Sequence, residues 1–206
     1  MLRTQVLPGL IGLLRMDGFA ATEAETAALR AALEGFERAG VRGWTVDMRW
    51  NGGGPSIQLS RLLVDKGRLF SRIRHNEVRL SDGTLLAERQ HIDFDGTALP
   101  FQRPLVVLIG PGAISGAESF AGPMQAYGRA TLVGERTAGA CGVVRTVHLA
   151  PGWPICLATH HTDFGPDELQ LNRIGVTPDV AVAPTPEDEA SGRDPQLEAA
   201  QEILRV

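Results

Sequence analysis

Lysine is almost missing from this sequence: of its 20 basic residues, only Lys66 is a lysine. It follows the apolar segment that ends at Leu63 and reads as a solvated charge at a helix end. Chemistry that needs a lysine general base therefore has one poor candidate. Cysteine is scarce too, with Cys141 and Cys156 alone. The turn expected near Pro151-Gly152-Trp153 sets Cys156 opposite Val147 or His148 rather than Cys141, which predicts two free thiols. No apolar run reaches the ~18 residues needed to span a bilayer. Leu10–Leu14 is too short for a signal-peptide core and has no clear cleavage site. The chain as given reads as soluble with no visible address: cytoplasmic as it stands, periplasmic or secreted if a leader precedes it. There is no block of like charge, and a net charge of −4 offers no electrostatic ground for binding nucleic acid. Repeats and low-complexity tracts are absent. No set of His, Cys, Asp or Glu has metal-ligand spacing, so neither a metal nor a cofactor is expected.

What is present is the composition of an ordinary globular domain, 43% hydrophobic and 21% charged over 206 residues, with room for a sizeable core. Leu10–Met16 reads as a strand ending at Asp17-Gly18. Thr22-x-x-Glu25 is a capping box before a helix carrying Leu29, Leu33 and Phe36, and Gly40 closes that helix. Val41–Met48 is a buried strand leading into Asn51-Gly52-Gly53-Gly54-Pro55, then a helix to Gly67. The stretch from Leu69 to Phe94 alternates and holds a hairpin signal at Ser81-Asp82-Gly83-Thr84. Leu105–Ile109 is a continuous β-branched run, the pattern of a strand covered on both faces. A helix follows Ser115 as far as Tyr127, then a strand at Thr131–Val133, a strand pair around Gly152, and a last helix from Pro195 to Leu204. Residues 185–194 read as a polar linker to that helix. Strands alternating with helices predict a single α/β domain over residues 1–206, with a mixed, mostly parallel sheet.

Two places carry the features of chemistry. Ser115 ends a strand–tight turn and opens a helix, with small neighbours in Ala113, Gly116 and Ala117. The partial positive charge of a helix N-terminus favours an alkoxide or oxyanion there. The same residues also fit a plain N-cap, with Glu118 completing a capping box. Ala113 and Ala117 stand where a strict Gly-x-Ser-x-Gly elbow has glycines. The second place is Asp47-Met48-Arg49-Trp50-Asn51-Gly52-Gly53-Gly54, where exposed amides could bind an oxyanion or simply make a tight strand–helix turn. No Gly-Lys-Ser/Thr follows, so it is a poor phosphate loop. Of the histidines, His160 and His161 lie at a strand end before Thr162-Asp163 and are the best local substitutes for a base. His75 and His91 read as surface residues.

In combination these blocks resemble the tail-specific (C-terminal processing) proteases and the related tricorn core. The blocks are Asp-x-Arg-x-Asn-x-Gly-Gly, the proline-led apolar strand, and the serine three residues before Glu118. Leu132–Gly139 and Gly175-Val-Thr-Pro-Asp179 add two more in the family's order, and the likeness runs from about Leu10 onward. The resemblance implies a crotonase-like fold and peptide or unfolded polypeptide as substrate, and leaves a homo-oligomer open. It implies Ser115 as nucleophile and the N–H groups of Gly54 and Gly116 as the oxyanion hole. Ser119, one helical turn deeper, is the weaker nucleophile. One departure stands out: the family's catalytic lysine position is Ala140. The tricorn-like branch instead takes a histidine from a segment upstream of this core, and its glutamate aligns with Asn172. The general base is thus unassigned: it is expected from an upstream segment or a partner. Otherwise the chain is a relative that binds a hydrophobic ligand or peptide without cleaving it.

Overall fold

A computed structural model describes residues 2–65, 67–75, 78–79, 82–83, 85–86, 89–93, 98–99, 102–150 and 152–205. The chain opens with β1 (Leu2–Leu7), β2 (Ile11–Met16), α1 (Glu23–Arg38), β3 (Gly43–Asp47) and α2 (Ile57–Leu63). Next come β4 (Leu69–His75), the two-residue strands β5 (Val78–Arg79) and β6 (Leu85–Leu86), β7 (Arg89–Asp93) and β8 (Leu105–Ile109). Then follow α3 (Gly116–Ala126), β9 (Thr131–Gly134), β10 (Val143–Ala150), β11 (Trp153–Phe164), β12 (Val180–Ala181), α4 (Pro186–Ser191) and α5 (Pro195–Ile203).

The central sheet has the order β1–β2–β3–β8–β9–β12. β1 runs antiparallel to β2, and the remaining neighbours are parallel. The mixed, mostly parallel α/β reading therefore holds. β8 shows why its run is unbroken. Leu105, Val107 and Ile109 join a core cluster with α1, α2 and α3, whereas Val106 and Leu108 join a second cluster with Ala200 and Leu204 of the C-terminal segment. A strand buried on both faces has no polar side to display. Close approach fixes the glycines between layers: a Cβ on Gly12 would meet the Phe36 ring at 2.6 Å, and one on Gly43 would meet Leu204 Cδ2 at 2.7 Å.

A second, antiparallel sheet has the order β10–β11–β4–β7. The hairpin expected at Ser81–Thr84 appears as β5 paired with β6, although residues 81 and 84 themselves lie outside the described residues. Lys66 lies outside them as well.

Three expectations need correction. Residues 2–7 form an edge strand that was not foreseen. Residues 185–194 carry a helix of their own, capped by Thr185 and Asp188, instead of a plain linker. Cys156 pairs with Thr146, one residue from the expected register. A bulge between His148 and Ala150 takes up one residue of β10, which moves every pair below it.

The motif residues Asp47 and Arg49 tie the sheet to the C-terminal helix. Arg49 donates to Asp47 Oδ2 and Asp194 Oδ2, both at 2.8 Å, and to Gln196 Oε1 at 3.0 Å. Burial alone would lower the Arg49 pKa, but its two carboxylate partners outweigh that and raise it. Burial likewise pushes Asp194 up, while Arg49 and the Leu197 amide more than reverse it and hold the carboxyl below its ordinary value. Asp194 also N-caps α5.

Candidate active site

Three loops meet at the C-terminal ends of β3, β8 and β9. The first is the glycine turn after β3. Buried Asn51 organises it: its side-chain amide donates to Met16 O at 3.0 Å, and its Oδ1 accepts from Gly53 N at 2.8 Å. Gly52 N donates to Asp17 O, and Gly53 O accepts from Phe19 N. Gly53 and Gly54 have φ of +93° and +103°, which glycine adopts without strain. The second loop, after β8, hangs on the first through Ile114 N to Asn51 O at 3.1 Å. The third, after β9, receives Ser115 N at Ala140 O, 3.1 Å.

The two glycine turns touch. A Cβ on Gly53 would lie 2.7 Å from Ser115 Cβ, and a Cβ on Gly116 would lie 1.9 Å from Gly54 O. Among the described residues, the amides of Gly52 and Gly53 are engaged, whereas no hydrogen bond leaves the amide of Gly54 or Gly116. Two unengaged N–H groups in contacting turns make a ready anion site.

Ser115 sits at φ +52°, ψ −107°, a strained conformation for a residue with a side chain. It stands in a capping-box arrangement with Glu118, yet its hydroxyl makes no capping hydrogen bond; the bond formed is Ser115 N to Glu118 Oε2, 3.1 Å. The Ser115 side chain thus stands at the Glu118 backbone N–H in the capping-box arrangement without forming a capping hydrogen bond to it. Ser119 differs. Its hydroxyl is buried, 2.9 Å from Ser56 Oγ, and donates to Gly116 O at 3.1 Å.

Ser115 opens on a cavity of about 470 Å³. Its walls include Gly54, Gly116, Ile57, Phe70, Val144 and Phe164, with Ser56, Ser119 and Cys141 as polar or polarisable spots. Among the described residues no imidazole or amine lines it. The side chains of His75, His91, His160 and His161 lie outside the described residues, so the reading of His160 and His161 as a base falls there too. His148 is exposed on β10, paired with Pro154. Ala140, at the expected lysine position, is exposed and contributes its carbonyl to Ser115 N.

Sequence reasoning missed how much rests on Glu118. It is fully buried and accepts from Thr137 Oγ1 at 2.6 Å and Gly139 N at 2.7 Å, as well as from Ser115 N. Thr137 Oγ1 in turn accepts from Val176 N at 2.7 Å. One carboxylate thus joins the serine turn to the 137–141 loop and, through Thr137, to Gly175-Val176. The capping-box spacing was the visible signal, but it pointed to a local role.

Both cysteines are free, as expected, and they differ. Burial, and after it the charge of Glu118, pushes the Cys141 thiol up to about 12. Cys156 is exposed. At pH 8, Ellman's reagent should titrate one thiol per native chain and two after denaturation, because the thiolate is the reacting form. Rapid release of two equivalents from folded protein would contradict the burial of Cys141.

The fold and this geometry define a class first: an α/β protein that presents a serine on a strained turn beside a second turn with open amides. The family follows from comparison with known proteins. The chain belongs to peptidase family S41, whose family model matches residues 10–182. It is 34% identical over 169 residues to the chloroplastic C-terminal processing peptidase of Tetradesmus obliquus, covering 77% of this chain and 32% of that protein. It is 28% identical to the carboxyl-terminal-processing protease of Picosynechococcus, covering 94% of this chain and 45% of that one. Among solved structures, the photosystem II D1 C-terminal processing protease superposes with a TM-score of 0.67 at 28% identity, covering 95% of this chain and 46% of that chain. The chain therefore spans between about a third and a half of the length of these relatives.

Proposed function

We propose that this chain is the serine-peptidase core of an S41 processing protease, cutting peptide bonds near the C-termini of extended, apolar-ended polypeptides. The observation that carries this reading is the pair of unengaged amides, Gly54 and Gly116, in turns that contact each other beside a hydroxyl with no capping bond. Ser115 Oγ attacks the scissile carbonyl and gives its proton to a general base. The carbonyl oxygen becomes an oxyanion and is held by the N–H groups of Gly54 and Gly116. Collapse expels the amine, which takes the proton, and water then hydrolyses the acyl-serine. The apolar cavity beside Ser115 suits an uncharged substrate side chain. The base is supplied from beyond the described side chains, as in the tricorn-like branch, where a histidine comes from another segment.

A fluorophosphonate probe tests the assignment. Labelling of the wild type with loss of labelling in Ser115→Ala is the expected result. Equal labelling of both would refute Ser115 as nucleophile. Ala140, which replaces the lysine, favours a second reading in which the cavity binds an apolar ligand without cleavage. Tight binding of a hydrophobic fluorophore together with no labelling of the wild type would favour that reading.

A further inference from the structure

Two ties bracket the amides of Gly54 and Gly116. Before them in each segment, Ile114 N donates to Asn51 O at 3.1 Å. After them, Ser56 Oγ and Ser119 Oγ lie 2.9 Å apart. Gly54 therefore falls between tied residues 51 and 56, and Gly116 between tied residues 114 and 119. The second tie joins two helices, since Ser56 is the N-cap residue of α2 and Ser119 lies early in α3.

The protons of this bridge can be counted. A serine hydroxyl has one to donate. Ser119 gives its own to Gly116 O at 3.1 Å. Ser56 must therefore donate to Ser119, which makes a directed chain from Ser56 through Ser119 to the Gly116 carbonyl. Both residues are buried. An N-cap serine ordinarily spends its oxygen on its own helix, yet Ser56 makes no such capping bond. Its carbonyl is held by α2, accepting from Ser60 N at 3.2 Å and from Ser60 Oγ at 3.1 Å. Ser119 N donates to Ser115 O at 2.9 Å. Each end of the bridge is thus fixed in its own segment, and the bridge fixes the segments to each other.

On the reading of Ser115 as nucleophile, we propose that Ser56 and Ser119 are a positioning pair that sets the separation of the Gly54 and Gly116 amides. Contact between Gly116 and Gly54 O limits how closely the turns approach. Contact cannot stop them from parting. The hydroxyl bridge does so on the side that Asn51 does not reach. Donors to an oxyanion act from about 2.7–3.1 Å, and a misplacement of about 1 Å can cost about 10²-fold in rate. Ser119 thereby has a task other than attack.

Labelling rates of the full chain with two fluorophosphonates, one carrying small alkyl groups and one a long alkyl chain, test this. Ser56→Ala and Ser119→Ala should each slow labelling of Ser115 roughly tenfold, for both probes alike. The double variant should be no slower than the slower single, because one bridge can be lost only once. Stability should not follow the rate. Ser119→Ala leaves the Ser56 O–H without its acceptor and Gly116 O without its donor, whereas Ser56→Ala orphans no proton. Ser119→Ala should therefore lower the urea midpoint more. Ser119→Thr, which keeps a hydroxyl, should restore the rate. If Ser119→Ala does not fold, Ser56→Ala alone decides. Wild-type rates in folded Ser56→Ala would overturn the proposal, as would a double variant slowed by the product of the two singles. Rates that fall in step with the urea midpoints would also overturn it. Slowing confined to the long-chain probe would do the same and make the hydroxyls contacts of the group in the cavity, whose wall they share. A wild type that does not label, or labels no faster than Ser115→Ala, removes the nucleophile itself, and the positioning pair with it.

Discussion

Gly116→Ala should slow fluorophosphonate labelling of Ser115 by about 10²–10³-fold, although it adds only one methyl group. The new Cβ would lie 1.9 Å from Gly54 O and 2.9 Å from both Gly54 C and Gly54 N. All three are backbone atoms, so no side chain can swing aside to make room. The glycine turn has little freedom either, since Asn51, Asp17 and Phe19 hold it. A Cβ on Gly54 itself would lie 2.1 Å from Phe19 O, so the turn is hemmed in on its far side as well. The two turns must part, and with them the two amides proposed to hold the oxyanion. Overpacking of this kind costs about 1–3 kcal/mol, leaving a folded but inert protein. Gly35→Ala in α1 is the matched control. Its Cβ would meet only the end of Arg38, at 3.8 Å. Alanine inside a helix gains about 0.5–1 kcal/mol over glycine, so that variant should melt slightly higher and label at the normal rate. If Gly116→Ala labels as fast as the wild type, the amides of these turns do not serve the reaction.

The contrast between these two glycines shows where the sequence was readable. Elements buried by periodic patterns could be read directly. Leu105–Ile109 is apolar throughout because helices cover both faces, and Leu29, Leu33 and Phe36 mark the inner stripe of α1. The serine turn was legible because strand, glycine turn and helix lie together in the chain. β1 was not, since four of its six residues are exposed and an edge strand on the rim of a sheet needs no alternation. The register of the β10–β11 ribbon was misjudged by one residue because nothing in Leu149 announces a bulge. In the site itself, Gly54 and Gly116 were visible as glycines, but not the reason for them. That reason is a contact between residues more than sixty positions apart, and no local pattern encodes it. Glu118 is the clearest case: a capping-box glutamate by spacing, and a link between three loops by position.

That position gives Glu118→Ala the largest expected loss of stability, about 3–5 kcal/mol from orphaned donors and the cavity left behind. The carboxylate is fully buried and accepts from Ser115 N, Gly139 N and Thr137 Oγ1. Alanine would leave the Gly139 amide and the Thr137 hydroxyl without this acceptor in a dry site. Ser115 N would retain Ala140 O alone. A cavity adds to the cost. Ser115 would also lose the bond that helps to hold its left-handed backbone, so labelling should fall in those molecules that still fold. Glu118→Gln separates the two effects. Its carbonyl oxygen can still accept from Thr137 and Gly139, while its NH₂ would face the Ser115 amide, donor against donor. The glutamine variant should therefore recover much of the urea midpoint but little of the labelling rate. Urea melts of the three proteins, read beside their labelling rates, decide the matter. If glutamine restores both quantities together, Glu118 acts as packing and does not position the serine. If alanine lowers the unfolding free energy by less than about 1 kcal/mol, the three-loop junction is not held by this carboxylate.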